Sequence, residues 1–228
     1  MDQEKIWEYF QNNPEVGDAF NADARYRFLA RQIKPGADTL NIGVGKGGLE
    51  EKLLAKQVNV YCLDPSEKAI QAIRSKFFLE GRAQVGFSQS IPFDDESFDF
   101  VIMSEVLEHL PDDVLRLTIK ECLRVLRSGG SFIGTVPAGE RLLDNRVVCP
   151  DCGKVFHRWG HVQEFSDNRL RDLLTREFSH CAVSRKYFGN WGTLNWKGKI
   201  SWLLKSIAMS VGIEGRSENF YFSARKAL

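Results

Sequence analysis

The feature that most limits how this chain can fold is an alternation running from residue 38 to residue 137. Apolar stretches of strand length are followed by segments whose apolar residues recur every three or four positions. The strand-like stretches are TLNIGVG (39–45), VNVYCLD (58–64), AQVGF (83–87), FDFVIMS (98–104) and SFIGTVP (131–137). Between them, GLEEKLLAKQ (48–57) puts Leu49, Leu53 and Leu54 on one helical face. PSEKAIQAIRSKF (65–77) opens at Pro65-Ser66 and carries Ile70 and Ile73, and DDVLRLTIKECLRVL (112–126) starts at an expected Asp cap and is broken by Ser128-Gly129-Gly130. Near-continuous apolar strands separated by helices require crossover connections, hence a parallel sheet covered on both faces. A further helix over 166–178 and strands over 180–188 and 219–226 complete a predicted α/β fold, a Rossmann-like seven-stranded sheet with helices on both faces. Residues 2–34 read as helical, anchored by Ile6, Trp7, Phe10, Tyr26, Phe28 and Leu29, so a helical cap (1–36) is expected ahead of the main domain (37–228).

Composition narrows the partners. At 228 residues with a formal net charge of +1, nothing pulls the whole chain toward nucleic acid or an anionic surface. The basic excess is local: from Arg185 onward there are eight Lys or Arg against two Glu. No stretch of about 18 apolar residues suggests a membrane span, and the charged start MDQEKIWEYF lacks a signal-peptide core. Five cysteines make an odd set for a disulfide framework, so the expected setting is the cytosol, with clustered cysteines read first as metal ligands.

In such a sheet the ligand sits at the carboxyl ends of the strands, and the glycine run lies there. Gly43, Gly45 and Gly48 fit G-x-G-x-x-G between a strand and a helix, and Asp64 ends the next strand about 20 residues on, placed to hold ribose hydroxyls. These residues fit a nicotinamide dinucleotide and S-adenosylmethionine (SAM) equally well.

The segment SIPFDDESFDFVIMSEVLEHLPDD (90–113), with TLNIGVGKG before it and CLRVLRSGGSF after it, resembles the class I SAM-dependent methyltransferases, in particular those acting on small molecules. The likeness covers roughly 38–136 and continues more weakly through 161–178. It implies that Gly43, Gly45 and Gly47 lie under the methionine part of SAM. It further implies that Asp64 binds the ribose, that Pro65, Phe87 and Ser88 border the adenine, and that Ser104 and Glu105 lie beside the methyl donor. Val106 and His109 would begin the substrate side. Two positions depart from the family pattern: Asn41 stands where an acid is usual, and Phe87 where an Asp usually meets the adenine amine. The implied reaction is in-line attack by an acceptor on the sulfonium methyl, in which the protein mainly aligns the reactants. His109 and Glu140 are the candidate general bases, needed only where the acceptor must lose a proton.

Residues 147–165, VVCPDCGKVFHRWGHVQEF, hold a second cluster. Cys149, Cys152, His157 and His161 make C-x2-C-x4-H-x3-H, a spacing that predicts a closed, structural zinc site in an insertion over about 145–162, where the acceptor wall is expected. Unmetallated packing and dithiol redox chemistry are the other readings. Lys154, Arg158 and Trp159 are the only nearby residues suited to RNA, so a zinc-knuckle nucleic-acid module or a non-catalytic SAM binder is the alternative to an enzyme. Finally, residues 199–211 within an amphipathic segment (197–212) place Ile200, Leu203, Leu204, Ile207, Ala208 and Val211 on one face. That face is expected to pack on the core or in a homodimer, with a lid or a membrane-surface contact as the other reading.

Overall fold

The computed structural model describes residues 22–189, 196–210 and 218–228, and within the second range the side chains of 196–201, 203 and 204. The expected anchors Ile6, Trp7, Phe10, Ile207, Ala208 and Val211 lie outside the described residues or side chains.

The predicted alternation is realised. Helix α1 (Asp23–Gln32) leads into β1 (Asp38–Ile42), α2 (Gly48–Leu54), β2 (Asn59–Asp64), α3 (Glu67–Phe77), β3 (Ala83–Val85) and β4 (Phe98–Ser104). A 3-10 turn (Leu107–His109), α4 (Asp112–Val125) and β5 (Leu126–Pro137) follow. Beyond a second 3-10 turn (Leu142–Asn145), β6 (Arg146–Val148) and β7 (Val155–His157) form a separate antiparallel hairpin. Then come α5 (Asp167–Thr175), β8 (His180–Lys186), α6 (Trp196–Ser210) and β9 (Asn219–Arg225).

The main sheet has the order β3-β2-β1-β4-β5-β9-β8. The first five strands are parallel, and β9 is antiparallel to both β5 and β8. The strand order reverses between β1 and β4, the switch point where loops at the carboxyl ends splay apart and leave a crevice.

Period-2 alternation divides the strand residues between two cores. Leu40, Ile42, Leu63, Val101 and Met103 face α4 and α5 with Leu115, Ile119, Cys122, Leu170 and Leu174. Val60, Cys62, Ile102 and Ile133 face α1 to α3 with Leu29, Leu49, Leu53, Ile70 and Ile73. Leu53 is fully buried, and its truncation to Ala would cost about 2–5 kcal/mol. Ser66 and Ser166 cap α3 and α5 by accepting from the Ala69 and Arg169 amides. Two local expectations are corrected. Pro111, rather than an Asp, occupies the N-cap of α4, leaving Asp112 and Asp113 in the first turn, where their charge suits the helix dipole. Strand β5 also starts at Leu126 and runs through the expected break at Gly129-Gly130, tolerating it by a register shift against β4 between Phe98 and Phe100.

Candidate active site

The glycine turn joins β1 to α2 at the switch point. Gly43, Gly45 and Gly47 all have positive φ, which a side chain would oppose. Their surroundings differ. A Cβ on Gly43 would stand 2.6 Å from Val106, and one on Gly47 would stand 2.7 Å from Ile73, so these two glycines answer to internal packing. A Cβ on Gly45 would meet nothing within 4 Å. Asp64, buried at the end of β2, accepts from the Val44 amide at 3.0 Å and the Ser66 amide at 2.9 Å. Burial raises its pKa, and those two backbone donors work against the rise. The carboxylate is thus oriented by the turn and keeps lone pairs for a ligand.

Asn41 lacks the charge usual at its position, and the structure shows a carboxylate next to it from elsewhere. Glu50 of α2, fully buried, accepts from Asn41 Nδ2 at 2.6 Å, and the Cys62 thiol lies 3.7 Å from the same oxygen. Burial raises the Glu50 pKa to about 7, against the Asn41 hydrogen bond. Sequence reading missed this residue; the signal available was a lone Glu on the buried face of an amphipathic helix.

Of the residues expected to border the adenine, Pro65 and Phe87 are exposed, whereas Ser88 is buried with its hydroxyl 2.8 Å from Thr118 Oγ1. At the end of β4, Ser104 lies 3.0 Å from Thr135 Oγ1. Glu105 takes a left-handed backbone (φ 58°), its carboxylate accepting from Asn219 Nδ2 at 3.0 Å with Arg25 at 3.6 Å. A non-glycine residue held in that region is strained, which fits a site that aims a side chain.

Beyond Glu105 lies a cluster drawn from three segments. Glu108 and His109 sit in the 3-10 turn after β4, Glu140 follows β5, and His157 ends the hairpin strand β7 with His161 four residues beyond it. His109 Nδ1 meets the Gly160 carbonyl at 3.3 Å, and the His109 and His161 rings meet edge to face at 4.6 Å. Glu140 hydrogen-bonds His161 Nδ1, accepts from Asn145 Nδ2 at 3.0 Å and lies 3.5 Å from His157 Nε2. Burial lowers the His109 pKa well below the usual histidine value, and the neighbouring His161 adds to that. Burial also drives the Glu108 pKa well above the carboxylate range, with Glu105 adding to the rise. Burial raises Glu140, but the histidines around it bring it below its ordinary value. Both candidate bases named from sequence therefore belong to one cluster, and Glu140 is engaged by its neighbours. Glu108 was not singled out from the sequence, although it stands beside His109.

The predicted Cys2His2 site is not assembled. Cys149 and Cys152 are at the tip of the hairpin, where Gly153 (φ 68°) donates to the Cys149 carbonyl in the expected tight turn. His157 pairs with Arg146 at the other end of that ladder, and each strand residue advances roughly 3.3 Å. Its ring turns inward to Glu140, and among the described residues no group of three potential metal ligands includes either cysteine. The spacing of the four residues suited zinc, but the strand between Gly153 and His157 separates them.

The described apolar face of α6 is also not packed as expected. Ile200 and Leu203 are each 50% exposed and Leu204 is 61% exposed. Among the described residues, no helix is long and apolar enough to cross a membrane.

A family model described as Methyltransferase domain matches residues 40–134. The chain is 30% identical over 172 residues to a sarcosine/dimethylglycine N-methyltransferase of Halorhodospira halochloris, covering 72% of this chain and 61% of that protein. It is 33% identical over 106 residues to a ubiquinone biosynthesis O-methyltransferase of Aromatoleum aromaticum, covering 44% of each. The chain thus spans 61% and 44% of the length of these two relatives. Among solved structures, a SAM-dependent methyltransferase from Archaeoglobus fulgidus superposes with a TM-score of 0.67 at 18% identity, over 99% of this chain and all of that one. A 1,6-didemethyltoxoflavin-N1-methyltransferase from Burkholderia thailandensis, solved with S-adenosylhomocysteine, also gives 0.67, at 15% identity over 99% of this chain and 87% of that one. Sequence likeness through the first five strands and shared topology over nearly the whole chain converge, and the chain belongs to the class I SAM-dependent methyltransferases.

Proposed function

We propose that this protein transfers a methyl group from SAM to a small-molecule acceptor. The observation that carries the reading is the pairing of Asp64 with the glycine turn. A buried carboxylate is oriented by two backbone amides, one of them from the turn itself, across from a glycine with open space on its side-chain face. In this reading Gly43 to Gly47 and Asn41 underlie the methionine part, and Asp64 takes the ribose diol. Pro65, Phe87 and Ser88 border the adenine, and Ser104 and Glu105 flank the donor. The Glu108–His109–Glu140–His161 cluster forms the acceptor end. The sulfonium is already activated, so alignment and exclusion of water account for most of the catalysis. The domain comprises residues 37–228, with 1–36 as a cap and the hairpin insertion (145–162) forming part of the acceptor wall. The relatives carry both N- and O-methyltransferase names, which supports a small acceptor without choosing its atom. The exposed face of α6 supports a contact with an apolar part of the acceptor or with a surface.

Calorimetry tests the reading directly. S-adenosylhomocysteine should bind the wild-type chain at one site, and NADH should not. Binding of NADH in its place would overturn the assignment.

A further inference from the structure

We propose that Cys149 and Cys152 form half of a zinc site, completed by the same two cysteines of a second copy of this chain. The pair stands at the tip of the β6–β7 hairpin, a two-stranded sheet separate from the main one. Cys152 is exposed and Cys149 is half-buried. The turn between them is closed by its own backbone. The Cys149 amide donates to the Lys154 carbonyl and the Gly153 amide donates to the Cys149 carbonyl, each at 2.9 Å. Gly153 makes the bend at φ 68°. The backbone amides of Cys152 and Asp151 hold the Cys149 thiol below its ordinary pKa. A turn that aims amides at a sulfur favours the thiolate, which is the form that binds metal.

The ligand count assigns the second copy. Two thiolates suit Zn²⁺ rather than magnesium or calcium, and a closed structural zinc site takes four ligands. Among the described residues, no third Cys, His, Asp or Glu joins the two cysteines in a group tight enough to share an ion. The other cysteines and histidines are placed elsewhere. Cys122 and Cys62 are buried, one in each core. His157 and His161 turn to Glu140, and His109 meets the Gly160 carbonyl. His180 and Cys181 pair with Arg225 and Ala224, which lie beside Ser131 and Phe132, away from the end of β5 where the hairpin follows. The segments outside the described residues contain neither Cys nor His. Each chain therefore supplies two thiolates, and two chains supply the four that close a tetrahedron.

The surface beside the cysteines suits contact with its own copy. Val148 and Val155 stand opposite each other on the ladder, one at each end of the cysteine turn, and are 62% and 51% exposed. Directly opposed residues share a face, so the hairpin shows water an apolar pair next to its thiols. Brought together about a twofold axis through the ion, two hairpins cover these pairs against each other. Four valines bury far less than a stable interface of about 1,000 Å² requires, so association depends on the ion. Zinc displaces the protons remaining on the four sulfurs, and binding tightens as the pH rises.

The full chain, stripped with chelator and kept in a thiol-free reductant, is titrated with Zn²⁺ and its mass followed by sedimentation equilibrium. Half an equivalent per chain should bind and the mass should double, and excess chelator should return it to the monomer. Co²⁺ in place of zinc should show the intense near-ultraviolet charge-transfer bands of a thiolate-bound ion. Cys149→Ser/Cys152→Ser should take up neither ion and stay monomeric, with circular dichroism confirming the fold. Val155→Asp should weaken zinc-dependent dimerisation by at least about tenfold, and His161→Gln should leave zinc uptake unchanged. No zinc uptake by the wild type, one equivalent held by a monomer, a dimer that survives chelator, or loss of zinc from a folded His161→Gln overturns the site. Dimerisation of Val155→Asp at wild-type strength overturns the contact face.

Discussion

Glu50 and Glu108 are both carboxylates with essentially no exposure, one at each end of the site, and they are housed differently. Glu50 lies beneath the glycine turn among uncharged donors, Asn41 and Cys62. That environment accepts either protonation state. Glu108 faces two histidines, and neither of its oxygens has a hydrogen-bond partner among the described residues. A buried charge left in that state is expensive. Both places keep buried oxygens without a hydrogen-bond partner among the described residues, Asn41 Oδ1 and Glu50 Oε2 in one and both carboxylate oxygens of Glu108 in the other; the difference is that Glu50 has side-chain donors and Glu108 has none.

The largest test of this contrast concerns Glu50. Its folded-state pKa, about 7, lies above the ordinary 4.5, so the folded state holds the proton longer than the unfolded chain. The favourable contribution is fully present below pH 4.5 and is lost as the pH rises to about 7. Over that window it amounts to about 3 kcal/mol. Glu50→Gln should remove this slope, so that the variant gains on the wild type in urea denaturation at pH 7.5 but not at pH 4.5. Equal pH profiles would mean that Glu50 is solvated and that the contrast with Glu108 is false. Asp64→Ala comes next. On the proposed reading it removes charge-assisted bonds to the ribose and should weaken S-adenosylhomocysteine by about 1.5–3 kcal/mol. Unchanged affinity would show that Asp64 does not hold the ribose. The smallest effect belongs to Leu204→Asp on α6. With that side chain 61% exposed, the substitution should change stability by less than about 0.5 kcal/mol. A large drop in melting temperature would restore the packed reading of the helix.

Strands, helices and the glycine turn were legible in the sequence because their signals are local. Period 2 or 3.6, a Ser cap and a glycine at positive φ each concern residues that are near neighbours in the chain. Asp64 was legible for the same reason, since one βαβ unit sets its distance from the turn. What the sequence left open depends on residues far apart along the chain. Glu50 meets Asn41 because α2 folds back on β1. Glu140 reaches His161 across 21 residues, and the Gly160 carbonyl reaches His109 across 51. The cysteine–histidine spacing misled because it measures chain distance, whereas a β-ladder holds its ends apart in space. Periodicity and the glycine motif determined the sheet, its helices and the turn at the end of β1. Only the tertiary structure decided what the histidine rings meet, because the Gly160 carbonyl and the Glu140 carboxylate come to His109 and His161 from distant parts of the chain.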